Sequence, residues 1–424
     1  MSRHPDVIRI ADLAEPRLTD GQAAALAYAR TMPVELSEQV VLEAARRQTG
    51  LSDFGADDFR ARLRVWLQAA EEDTDLNALG RLGVFSNCVR YLANRLRVED
   101  VLTRHPEIVQ VAIGRPIIVA GLPRSGTTHL VNLIAADSRL RSLPYWESME
   151  PVPARGDGPG RDGRDPRWTR CRQSYEQMIA QMPLLPAMHD MPPEHIHEEI
   201  ELQELDFATY LLEWLARPPR WRDYYLGLDL RSSYAYLKKV LQVLTWFRGP
   251  RRWVLKSPQH LEQLGPLLAT FPDATIAITH RDPVAVIQSA ITMLAYGDRM
   301  RRTRVDPAGL AAYWIDRVER LLRACVRDRD RLPATQAIDV PFHALMADDL
   351  GMVTRIYERA GLPMTPGARA ELARYVADNP RGKHGQVVYD LRRDFGIEPA
   401  AVRERFGFYF ERFAVRAESQ EEQT

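Results

Sequence analysis

The sequence predicts an α/β fold in which helices cover both faces of a central parallel sheet, preceded by a helical region. Three observations carry that expectation. Short apolar runs of the buried parallel-strand kind occur at 117–120, 253–255, 274–279 and 335–340. Stretches with helical spacing of apolar residues separate them. Residues 1 to about 110 show helical patterning and no strand signals.

In the leading region Phe59, Leu63, Trp66 and Leu67 fall on one helical face, as do Leu82, Phe85, Val89, Leu92 and Leu96. Stripes of this kind form core. Residues 1–112 therefore read as a helical N-terminal region, 113–415 as the α/β domain with helical insertions at about 150–250, and 416–424 as a polar tail. The first strand, Ile117 to Ala120, runs into Gly121-Leu-Pro-Arg-Ser-Gly-Thr-Thr128 and a helix carrying Leu130, Leu133 and Ile134. Residues 152–167 are rich in Gly, Pro and charge, and read as a mobile surface loop. Helical pattern returns at about 196–215 and 232–247, then after the strand at 253–255 as far as about 270. The strand at 274–279 leads into a helix with Val284, Ile287, Ile291 and Leu294 inward. A helix near 308–331, the strand at 335–340 and further helices complete the chain.

The loop between the first strand and its helix is the most informative segment. Free N–H groups at a helix start, aided by the helix dipole, seat a phosphate. The Gly121-x-x-x-x-Gly126 spacing matches a nucleotide triphosphate loop, so the fold reads as P-loop-like, a three-layer arrangement. One feature differs. Where that motif has Lys followed by Ser or Thr, this chain has Thr127-Thr128, and its cation is Arg124, inside the loop. This points away from ATP hydrolysis and toward another activated nucleotide.

Two further segments lie at strand ends, where ligands bind in open α/β sheets. In Thr279-His-Arg-Asp-Pro283 the arginine sits at the strand end and Ser289 two turns along the next helix. Together they suit a second phosphate, held bidentately by the guanidinium; taken alone, Arg281 equally suits an ion pair with a carboxylate. In Trp253-Val-Leu-Lys-Ser-Pro258, Lys256 emerges at a strand end and Ser257 caps the helix that Pro258 begins.

Composition bounds the partners. The 424 residues carry 57 basic and 57 acidic side chains, a net charge of zero, so no general electrostatic case exists for nucleic acid or an anionic membrane. Only Lys238, Lys239, Lys256 and Lys383 are lysines. Cys88, Cys171 and Cys325 lack metal-ligand spacing and read as free thiols. With no signal peptide, no transmembrane segment and no long apolar run, the expectation is a cytoplasmic protein.

The ordered set Gly121-Leu-Pro-Arg-Ser-Gly-Thr-Thr128, Lys256-Ser-Pro258 and Arg281-Asp-Pro…Ser289 resembles the sulfotransferase superfamily, over about residues 115 to 413. It is most similar to the bacterial branch with a helical N-terminal extension, and its active-site pattern resembles that of the tyrosylprotein sulfotransferases. The resemblance implies a sulfuryl donor, 3′-phosphoadenosine 5′-phosphosulfate (PAPS), as co-substrate, with no metal. It implies that Arg124, Ser125, Gly126, Thr127 and Thr128 hold the 5′-phosphosulfate and that Arg281 and Ser289 hold the 3′-phosphate. Pro380-Arg-Gly-Lys-His-Gly385 resembles the loop closing over the 3′-phosphate, which makes Arg381 and Lys383 candidates. Sulfuryl transfer needs a base for the acceptor hydroxyl, in-line positioning and neutralisation of the leaving phosphate. Arg124 and Lys256 suit the last task.

For the base, Glu147 in Pro144-Tyr-Trp-Glu-Ser148 follows the loop where the tyrosylprotein enzymes carry their glutamate. The competitors are His195, His197 and Glu198 within Pro193-Glu-His-Ile-His-Glu-Glu-Ile-Glu201; the same cluster offers ligands for a metal, a weaker reading. The acceptor is expected to be a small molecule, carbohydrate or lipid with a hydroxyl, met by some of Tyr145, Trp146, Trp214, Trp221, Tyr224 and Tyr225. Two other classes stay open. A P-loop kinase or NTPase lacks its lysine here and finds only Asp339 as an imitation of a magnesium aspartate. A non-catalytic nucleotide-binding module leaves Arg124, Lys256 and the candidate bases unexplained.

Overall fold

The computed structural model describes residues 7–158, 160, 163–380, 383 and 385–418. Its strands are β1 (Val7–Ile8), β2 (Ile117–Ala120), β3 (Leu140–Arg141), β4 (Arg252–Ser257), β5 (Thr275–His280), β6 (Ala337–Pro341) and β7 (Gln386–Val387). Five of them form one parallel sheet in the order β3-β4-β2-β5-β6. The pattern of buried apolar runs separated by helices is thus the fold that forms, because parallel strands need long crossovers and bury both faces.

Alternation along β2 divides the core. Ile117 and Val119 face a cluster with Leu130, Leu133, Ile134, Val353 and Ile356. Ile118 and Ala120 face the other side, in a cluster that also takes in Phe59, Leu63, Trp66, Leu92 and Leu96. The leading helices therefore share one continuous apolar core with the sheet.

Register places the site. Ala120 lies opposite Ser257 of β4 and Ile278 of β5, so the loops leaving these three strands emerge side by side. The sheet order reverses around β2, the position at which ligands bind in such sheets.

Several local expectations differ from what forms. The leading region contains β1, which pairs in parallel with β7; two residues are too few for a period to register. The helix expected at 196–215 is broken into Ile200–Gln203, a 3-10 turn at Glu204–Asp206 and Leu211–Ala216, with Phe207 at φ +50° between them. The cause is long-range. Arg62 Nε donates to the Asp206 carbonyl at 2.7 Å, and Arg95 Nη1 to the Leu205 carbonyl at 3.1 Å. At the break these carbonyls are satisfied by arginines of the leading region. Residues 152–167 include the start of a helix, Pro166–Gln181, which Asp165 caps through the Arg167 N–H.

Candidate active site

The phosphate loop is shaped by two glycines. A Cβ on Gly121 would overlap Thr279 Oγ1, and Gly126 sits at φ +87° against the Phe342 ring. Ser125 Oγ donates to the Leu122 carbonyl at 2.6 Å and lies 2.6 Å from Thr279 Oγ1, tying the loop to β5. The helix Thr127–Ala135 starts at Gly126, which offers no side-chain cap, so its first N–H groups face the loop. Arg124 takes φ +68°, unusual for a residue with a Cβ. Arg281 Nη1 donates to its carbonyl at 2.7 Å, fixing that geometry.

Arg124, Ser289 and Arg281 thus converge and are already linked to one another or to neighbours. Arg124 Nε donates to Ser289 Oγ at 2.8 Å, and its Nη1 to the Met188 carbonyl at 2.5 Å. Arg281 stacks over Phe342, 3.9 Å from guanidinium carbon to ring centre. Its remaining edge makes a two-toothed pair with Glu418, through Nε at 2.8 Å and Nη2 at 2.7 Å. A carboxylate thus occupies a fork suited to a phosphate. Arg381 lies outside the described residues; Lys383 is exposed, in a turn.

Lys256, almost fully buried at the end of β4, gives its ammonium to Glu198. Glu199 accepts the Lys256 backbone N–H at 2.7 Å and faces His260 Nε2 at 2.6 Å, with His260 Nδ1 2.8 Å from the Tyr234 hydroxyl. Buried carboxylate and imidazole thereby anchor the 198–199 segment to β4. Ser257 caps the turn Pro258–Glu262, as expected, although that turn is 3-10.

Between the loop and this segment lies a cavity of about 190 Å³, lined by Arg124, Thr127 and Thr128 on one side and His189, His197 and Glu198 on another. Tyr145, Ile200, Tyr210, Leu211, Trp214 and Met293 make its apolar walls. Of the aromatics singled out from sequence, Tyr145 and Trp214 reach it. Trp221 and Tyr225 are core, and Trp146 stacks under Arg167. His189 and Tyr210 carry no sequence signal; they arrive at the end of the short helix Leu185–His189 and at the start of Leu211–Ala216.

The candidate bases separate. Glu147 is buried and takes Arg248 Nη1 on its Oε2 at 2.7 Å. Burial pushes its carboxyl up, with Arg248 working against it. It does not line the cavity, although its neighbour Tyr145 does. His195 is pushed well down by burial, reinforced by the charges of His197 and Lys256. His189 is pushed down in the same way. His197 has its Nε2 3.5 Å from Glu201 Oε1, while its buried Nδ1 has no hydrogen-bond partner among the described residues. Burial pushes the Glu201 carboxyl up, but Arg90 and His197 more than offset this and hold it below the usual range.

Other residues raised by sequence are structural here. His280 lies 2.9 Å from the Tyr409 hydroxyl and 2.9 Å from Asp339, and stacks on Phe413. Asp339 is also forked by Arg329 at 2.9 Å. Among the described residues no group of three His, Cys, Asp or Glu is arranged to hold a metal ion, and no helix is long and apolar enough to cross a membrane.

Comparison with known proteins agrees with this geometry. A family model described as the sulfotransferase family matches residues 116–366, from β2 through all three strand ends. The omega-hydroxy-beta-dihydromenaquinone-9 sulfotransferase Stf3 of Mycobacterium bovis is 23% identical over 69% of this chain and 75% of its own. Two crystal structures share the fold over nearly the whole chain. Sulfotransferase STF1 from Mycobacterium tuberculosis H37Rv is 30% identical, covers 88% of this chain and 98% of its own, and superposes with a TM-score of 0.77. Sulfotransferase STF9 from Mycobacterium avium is 25% identical, covers 91% and 98%, and scores 0.81. The chain belongs to the sulfotransferase family and is a sulfuryl-transferring enzyme.

Proposed function

We propose that this member of the sulfotransferase family takes its sulfuryl group from PAPS and passes it to the hydroxyl of an apolar alcohol or phenol held in the 190 Å³ cavity. The observation that carries the reading is that Arg124, Thr127 and Thr128 of the phosphate loop line the same chamber as His197 and Glu198. Phosphate seat and proton acceptor share one space, as direct transfer needs.

The donor supplies the activated sulfuryl group. The loop N–H groups, with Ser125, Gly126, Thr127 and Thr128, hold its 5′-phosphosulfate, and Arg281 holds the 3′-phosphate. The glycine cradle and the anion-filled fork of Arg281 fit such a ligand. Ser289 serves by orienting Arg124. Arg124 and Lys256 neutralise charge gathering on the departing 5′-phosphate. Lys256 is partnered by Glu198; when the ammonium turns to the phosphate, the Glu198 carboxylate is released to take the acceptor's proton. A second reading gives that proton to His197, favoured by its unpartnered Nδ1.

Apolar walls favour an apolar acceptor over a sugar, whose hydroxyls would lose hydrogen bonds on entering. The cavity is smaller than the ~300–1,000 Å³ of a whole-ligand site, so it suits the reacting end of a longer molecule. The relative named for a hydroxylated menaquinone supports the same class. In this reading residues 1–112 and 113–415 act as one unit, with the leading helices bracing the acceptor wall.

The test is calorimetric binding of adenosine 3′,5′-bisphosphate, ADP and 5′-AMP without magnesium. We expect clear preference for the 3′-phosphorylated nucleotide, with Arg281→Ala removing that preference and leaving 5′-AMP unaffected. Preference for ADP, or equal losses for both adenosine ligands in the variant, would overturn the donor assignment.

A further inference from the structure

The fork of Arg281 is filled by the chain itself. After the helix Gly407–Arg412, Phe413 stacks on His280 with ring centres 4.0 Å apart. That contact turns residues 414–418 toward the end of β5. There Glu418 is held through both its side chain and its backbone. Its carboxylate spans Nε and Nη2 of Arg281 at 2.8 and 2.7 Å. Its backbone N–H donates to Asp282 Oδ2 at 2.9 Å. Its carbonyl accepts from Arg403 Nη2 at 2.8 Å, and Arg403 also grips Asp282 at 2.8 and 3.0 Å.

The carboxylate edge of Glu418 matches what a phosphate presents to a guanidinium: two anionic oxygens in the plane of the fork. Arg281 is prepared for one such anion. Phe342 covers one face, the Arg124 carbonyl takes one Nη1 hydrogen, and the two-donor Nε–Nη2 edge is the one held by Glu418. Two anions cannot share that edge.

We propose that residues 414–418 form an internal strap whose Glu418 carboxylate competes with the 3′-phosphate of the donor nucleotide for Arg281. The proposal rests on the donor reading above. Nucleotides with a 3′-phosphate release the strap and those without leave it closed, so apparent affinity is the intrinsic affinity reduced by the fraction of molecules with the strap open. The strap thereby favours departure of the 3′-phosphorylated product, because its closing replaces the product's contact with Arg281.

The test uses the full chain and its Glu418→Gln variant, which keeps the side-chain shape and both backbone contacts but removes the charge. Affinity for adenosine 3′,5′-bisphosphate should tighten roughly 3- to 10-fold, the range for a strap closed in most molecules, while 5′-AMP binding stays the same. Unchanged or weaker binding of the bisphosphate overturns the strap. Backbone hydrogen exchange of residues 414–418 in the unaltered protein gives a second readout. It should accelerate on adding adenosine 3′,5′-bisphosphate and not on adding 5′-AMP; unchanged or slowed exchange with the bisphosphate overturns the proposal. The two readings fail differently. If Arg281→Ala spares the 3′-phosphate preference, the donor assignment falls. If that preference needs Arg281 and Glu418→Gln changes nothing, only the strap falls.

Discussion

The two halves of the site are built in different ways. On the proposed donor side, Arg124 and Arg281 follow β2 and β5 of one parallel sheet and Lys256 lies near the end of β4, and the register of β2 with β4 and β5 brings them together. On the proposed acceptor side, the start of the short helix Tyr145–Met149 and an irregular segment meet at an antiparallel bridge between Pro144 and Ile196. They are close neighbours, yet their glutamates part. Glu147 turns into the protein toward Arg248, and Glu198 turns to Lys256 and the cavity. A side chain at a strand end is placed by the sheet. One in a short helix or an irregular connection is placed by the long-range partner it finds.

The largest expected effect sharpens the donor half. Lys256→Ala should lower turnover roughly 10²- to 10³-fold, the scale for losing one donor to developing charge in a dry site, measured as single-turnover loss of PAPS with a long-chain alcohol or phenol as acceptor. A loss of only a few-fold would remove Lys256 from the chemistry. Next comes the pair that defines the contrast. Glu198→Gln should cost about 10²-fold or more in the same assay, and Glu147→Gln only a few-fold, because its carboxylate serves Arg248. Reversal of that order would break the comparison and return the base role to Glu147; near-normal turnover in both, with a large loss in His197→Asn, would assign it to the histidine.

The smallest effect concerns the scaffold under the donor half. Burial pushes the Asp339 carboxyl up, but hydrogen bonds from His280 and Arg329 outweigh this and hold it far below the usual range. A carboxylate depressed in the folded state adds stability above its unfolded pKa of about 3.9, and that stability is lost as pH falls below it. Asp339→Asn should therefore be less stable at neutral pH and show a flatter decline below about pH 4 in thermal midpoint. Parallel pH profiles for the two proteins would mean that the pairing adds nothing. Nucleotide binding without magnesium should be unaffected by the same substitution.

What was legible follows the same division. Four apolar runs and the spaces between them yield four of the sheet's five strands, the two-residue β3 being too short to show a period, and the glycine spacing with Arg124 in place of a lysine excludes a common phosphate loop. Lys256 and Arg281 stand out because each lies at the end of a readable strand. Much less of the acceptor side can be read. Glu147 and Glu198 both sit in plausible motifs, and nothing local distinguishes them. Tyr210 and Trp221 are equally aromatic, yet one lines the cavity and the other is core. The break in the expected helix at 196–215 depends on Arg62 and Arg95, more than a hundred residues upstream.

By itself the sequence indicated four strands of the sheet and the phosphate loop, through short-range periodicity and glycine spacing, and the chemical class through the resemblance of its ordered motifs to a known family. Tertiary structure alone decided which carboxylate meets Lys256, that Ser289 accepts a hydrogen bond from Arg124, and that Glu418 fills the fork of Arg281. Those outcomes are choices among charged partners far apart in the chain. Local propensity carries no information about such choices, and only the packed arrangement of the helices around the sheet makes them.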